Sequence, residues 1–81
     1  MTRKELTTYL AAILTSLADF PEGTPESNLY IAIGMDLQKW ETVSSILTDN
    51  KWIKISSHWV TITPAGRAVA DEVNSLLATA N

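Results

Sequence analysis

Apolar residues recur along this chain at helical spacing in three places and alternate in two short stretches between them. Leu6, Tyr9, Leu10, Ile13, Leu14 and Leu17 return every three or four positions, which predicts an amphipathic first helix. Thr2-Arg3-Lys4-Glu5 precedes it as a capping box, the Thr2 hydroxyl and Glu5 carboxylate each serving the other's backbone N–H. The opposite face, Thr7, Thr8, Ala11, Ala12, Thr15 and Ser16, is small and uncharged. Such a face can rest against another surface as readily as against water. Phe20-Pro21-Glu22-Gly23 then breaks the helix.

Thr24-Pro25 reads as the start of a second helix, with Thr24 as cap and Pro25 in the first turn, where its missing N–H costs nothing. Leu29, Ile31, Ile33 and Met35 are its expected apolar contacts, and Gly34 its left-handed end. Asp36 caps a third helix with an inner stripe of Leu37, Trp40, Val43, Ile46 and Leu47, and Asn50 is read as its left-handed stop. Trp52–Ile55 and Trp59–Ile62 are β-rich, partly alternating and separated by Ser56-Ser57-His58, which predicts a tight hairpin. Thr63-Pro64 opens a last helix expected to bury Ala68, Val69, Val73, Leu76 and Leu77.

The resulting order is helix, helix, helix, hairpin, helix: mainly α with a small β-hairpin, an α+β chain. Three segments carry a resemblance. They are Gly34-Met35-Asp36-Leu37 at the inter-helix turn, Ile46 to Ile53 leading into the hairpin, and Thr61-Ile62-Thr63-Pro64-Ala65-Gly66-Arg67 closing it. Together they resemble the winged helix-turn-helix superfamily, especially its small prokaryotic regulator-like domains, over about two thirds of the chain. The resemblance implies duplex DNA binding by the third helix, residues 36–50, in the major groove, usually as a dimer. It has three departures. Tyr30 stands where a small residue is usual, four positions before the turn glycine, so the two helices are expected to splay. Asn50-Lys51 replaces the usual glycine. The hairpin is too short to reach into a minor groove.

The 81 residues fit one domain, 1–81, with no room for a second. A 46 % hydrophobic content suits a folded chain. Cysteine is absent, which removes disulfides, thiolate nucleophiles and sulfur ligands together. Such a chain suits a reducing cytoplasm, its expected location. The longest uncharged run, Leu6 to Ala18, is shorter than the ~20 residues a bilayer needs, so no membrane span is expected. Arg3 and Lys4 before that run hint at a signal peptide, but its apolar residues are periodic rather than continuous.

Charge changes the picture most. Six Lys and Arg against nine Asp and Glu leave a net charge of −3, and the bases are scattered. A phosphate-binding domain usually shows a basic excess overall or on one face. The third helix would present Gln38, Lys39, Thr42 and Ser45 as base-reading or phosphate-binding groups, beside acidic Glu41 and Asp49. Lys54 on the hairpin, with Lys51, Arg3 and Arg67, adds phosphate contacts. Three or four of these per subunit predict a salt slope of about −3 to −4, so double-stranded DNA binding would need a homodimer.

The alternative partner is a protein. Trp40 and Trp52 are expected in the core, whereas alternation points Trp59 outward beside His58, the pattern of an interface anchor. No enzyme, cofactor or metal site is expected. Ser57 and His58 are sequence neighbours that cannot pair as nucleophile and base, a single histidine lacks co-ligands, and no glycine-rich phosphate loop is present.

Overall fold

A computed structural model describes residues 1–79, the last three by their backbone alone. The chain runs α1 (Arg3–Ala18), β1 (Thr24–Pro25), α2 (Glu26–Ile33), α3 (Leu37–Asp49), β2 (Ile53–Ser56), β3 (Trp59–Ile62) and α4 (Pro64–Thr79). It is mainly helical with a small antiparallel sheet of order β1-β3-β2. The core gathers Ile13, Leu14 and Leu17 from α1, Leu29 and Met35 around α2, and Trp40, Val43 and Leu47 from α3. Ile53, Val60 and Ala70 close it.

The helix ends follow local chemistry. Thr2 Oγ1 accepts from Glu5 N at 3.0 Å, and Asp36 Oδ1 accepts from Lys39 N at 2.8 Å, so the first and third helices start where their caps stand. Gly34 takes φ 82°, and Met35 N reaches Tyr30 O while Gly34 N reaches Ile31 O. This six-to-one, five-to-two pair ends α2 and turns the chain into α3.

The end of α3 departs from expectation. Asn50 stays right-handed, its side chain donating to Ile46 O, and Lys51 instead takes the left-handed position at φ 60°. Lys51 N then bonds Thr48 O and Trp52 N bonds Leu47 O, the same closing pair that Gly34 makes for α2. Register decides this. The Leu47 carbonyl is reached only if the left-handed residue comes one later than Asn50.

Thr24 is a strand residue rather than a helix cap. It pairs with Val60, Pro25 pairs with Trp59, and Pro25 becomes the uncapped residue before α2. Proline holds its predecessor extended, and extended backbone here finds a sheet edge. The expected hairpin is therefore a three-stranded sheet. Its turn joins Ser56 to Trp59 through Ser57 (φ 49°) and His58 (φ 65°), the two positive dihedrals of a type I′ turn.

Four apolar assignments also shift. Ile31, Leu37 and Leu76 are exposed, as is Ala68, and Ala70 takes the buried position on α4. Trp52 is half-buried against the core rather than inside it. Leu77 lies outside the described side chains.

The Thr63-Pro64-Ala65-Gly66 segment has a mechanical role. Thr63 Oγ1 accepts from Gly66 N, capping α4, and donates to Lys51 O at 2.6 Å, while Thr63 N bonds Trp52 O. A Cβ on Gly66 would run into that same Trp52 carbonyl. The start of α4 is thus fastened to the exit of α3, which fixes the orientation of both.

Candidate functional site

The inner stripe of α3 is locked by Trp40, Val43 and Leu47, so the opposite face must look outward. Gln38, Thr42 and Ser45 are exposed there, together with Glu41 and Asp49. Thr42 Oγ1 turns back to Gln38 O at 3.3 Å, which leaves its oxygen free to accept. Lys39 is different from its neighbours. It is half-buried, and its Nζ stands 5.9 Å from the centroid of the Tyr9 ring on α1. A cation over an aromatic face is held there by the ring quadrupole. Its charge remains near the helix surface, but its reach is set by α1.

Gln38, Lys39 and Thr42 line one shallow groove of about 500 Å³ with Asp36, Met1 and Leu6. Ser45 lies one turn further along the same face. Lys54 is on β2, exposed and opposite Thr61. The five residues expected to meet nucleic acid therefore come from the α3 surface and the adjoining β2 strand. Within Leu37–Asp49 a single base, Lys39, faces two acids. A field of that sign does not attract phosphate by itself.

His58 and Trp59 form a second locus at the hairpin tip. His58 is exposed, its Nδ1 lying 3.2 Å from Glu26 Oε2, and its carbonyl accepts from Glu26 N at 2.8 Å. Trp59 points outward, as alternation predicts, and is 45 % exposed. Its ring is not loose. Nε1 donates to Glu22 O at 3.1 Å, and the indole packs so closely on Gly23 that a Cβ there would strike it. Gly23 itself sits at φ 95°. The turn before β1 exists in this form because it must pass under the Trp59 ring.

Glu26 is the residue that sequence reasoning missed. Its second oxygen, Oε1, accepts from the indole Nε1 of Trp40 at 3.1 Å. One carboxylate thus touches the buried side of α3 and the hairpin tip together. Nothing near Glu26 in the sequence announces this, since both partners are distant along the chain. Tyr30 also meets Trp40, ring centroids 5.9 Å apart and tilted by 40°, so a large aromatic fills the space where a small residue was expected.

No group of three or more His, Asp or Glu side chains able to hold a metal exists among the described residues. No helix among them is long and apolar enough to cross a membrane. Comparison with protein-family models, with curated proteins and with solved structures finds no match to this chain.

Proposed function

We propose that this chain is a winged-helix DNA-binding protein of the transcription-regulator type, acting in the cytoplasm as a dimer with α3 in the major groove. The observation that carries this reading is the presentation of α3. The Gly34 turn and the Asp36 cap aim it, Trp40, Val43 and Leu47 lock its inner face, and Gln38, Thr42 and Ser45 are left outward. The sheet order β1-β3-β2, with the β2–β3 hairpin between α3 and α4 along the chain, supports the winged-helix part of the reading.

The tip of the short wing takes no part in groove contact on this reading, because it is tied to Glu26 rather than projecting. Base contact falls to Gln38, and phosphate contact to Lys39, Lys51 and Lys54. So few charges give weak binding for one subunit. A second copy would double them. The apolar groove between α1 and α4, lined by Leu10, Ala11, Val69 and Val73, is the surface offered for pairing.

A second reading rests on Trp59. An indole held in place by Glu22 and Gly23, yet 45 % exposed, is a preorganised anchor for a protein partner. The acidity of the chain favours it.

Selection from a random-sequence duplex pool at two salt concentrations, with solution mass measured alongside, separates the two. Salt-sensitive enrichment of a palindromic site by a dimer supports the regulator. No retention at ~50 mM salt, where phosphate contacts are strongest, overturns it in favour of the protein-binding module.

A further inference from the structure

A cavity of about 200 Å³ lies between the end of α1, β1 and α2, and neither α3 nor Trp59 contributes to its lining. Its apolar wall is Leu29, Ala32 and Ile33, with the half-exposed Phe20 ring at its edge. Three polar side chains, Ser16, Thr24 and Asn28, also line it. Thr24 is only 7 % exposed, and it is the single polar residue among the described ones to be buried to that degree. Its backbone is engaged with Val60 in the sheet, and its hydroxyl has no hydrogen bond within the protein but keeps some contact with solvent. The Ser16 and Asn28 side chains likewise have none. A cavity-lining hydroxyl with no protein partner and some solvent contact can exchange water for the polar group of a guest molecule.

The size fits one ring, since a cavity of roughly 150 Å³ already accepts benzene. The electrostatics constrain the guest further. The last turn of α1 carries no base, Asp19 follows it, and no basic side chain lines the cavity. The partial negative charge of a helix C-terminus disfavours an anion here.

We propose that this cavity is a binding site for a small neutral or cationic molecule with a single aromatic ring and one hydrogen-bonding group, the ring against Leu29 and Ile33 and the polar group toward Thr24. The site is independent of what α3 binds. Its α2 wall leads through Gly34 into α3.

The test is titration of the whole chain with benzyl alcohol, benzylammonium and benzoate, followed by amide NMR shifts. Benzyl alcohol and benzylammonium are expected to give saturable shifts centred on Ser16, Thr24, Asn28 and Ala32, with a Kd on the order of 1 mM. Benzoate should bind at least about tenfold more weakly. Ala32→Phe, which fills the mouth from a surface position, should abolish the shifts while the rest of the spectrum stays folded. Thr24→Val, similar in shape, should weaken benzyl alcohol several-fold. Shifts that never saturate, that spread over the surface, that survive Ala32→Phe or that are equal for benzoate overturn the proposal.

Discussion

The carboxylate of Glu26 accepts the indole N–H of Trp40, joining the first residue of α2 to the buried face of α3. Trp40 is 1 % exposed, so that N–H has no ready access to water. Glu26→Ala should leave it unpaired and cost about 1–3 kcal/mol, whereas Glu26→Gln keeps an acceptor oxygen and should cost less than about 1 kcal/mol. Urea unfolding followed by tryptophan fluorescence measures both. Equal losses in the two variants would show that the bond is unimportant.

Lys51 and Gly34 occupy equivalent left-handed positions at two helix ends, but only one is glycine. Lys51→Gly should therefore stabilise the fold by about 1 kcal/mol, the usual cost of a left-handed residue with a Cβ. Gly34→Ala should destabilise by about 1–2 kcal/mol, although open space surrounds that position. Thermal melts give the signs directly. If DNA is bound, Lys51→Gly should combine higher stability with a lower salt slope.

Gly66 faces the Trp52 carbonyl across a gap that admits no side chain. Gly66→Ala should force the start of α4 off the exit of α3, at about 1–3 kcal/mol, despite the better helix propensity of alanine. Thr63→Ala removes the cap of α4 and should cost about 1–2 kcal/mol. A neutral Gly66→Ala variant in chemical denaturation would contradict the contact.

Lys39 and Lys54 should separate under mutation. Each alanine variant is expected to lower the salt slope for duplex binding by about 1. Lys39→Ala also strips the cation from the Tyr9 ring and should cost about 0.5–1 kcal/mol of stability. Lys54→Ala should stay within about 0.5 kcal/mol of the parent. Gln38→Ala should instead relax preference at one base position, read from competition between single-base variants of the selected site.

Trp59 carries the competing reading. Trp59→Phe keeps a ring on Gly23 and loses the bond to the Glu22 carbonyl, with an expected stability loss of about 1 kcal/mol. If a protein partner uses this surface, Trp59→Ala should cost about 2 kcal/mol or more of binding beyond its effect on folding. A variant altered in stability alone would leave Trp59 as the cover of the turn beneath it.

The sequence by itself determined the helices α1 and α3, the caps Thr2 and Asp36, the left-handed Gly34 and the paired strands β2 and β3. Each depends on residues a few positions apart, so periodicity and cap chemistry suffice to read it. It also marked the outward face of α3, because Trp40, Val43 and Leu47 left no other place for Gln38, Thr42 and Ser45. The tertiary structure decided what depends on partners remote along the chain. Thr24 became a strand residue because Val60 offered it an edge, and Lys39 leaned on α1 because Tyr9 stood beneath it. Glu26 acquired two partners from α3 and the hairpin, and Trp59 was pinned by the turn that passes under it. Backbone pairing and side-chain docking of this kind depend on how elements stack, and local pattern carries no record of the stacking.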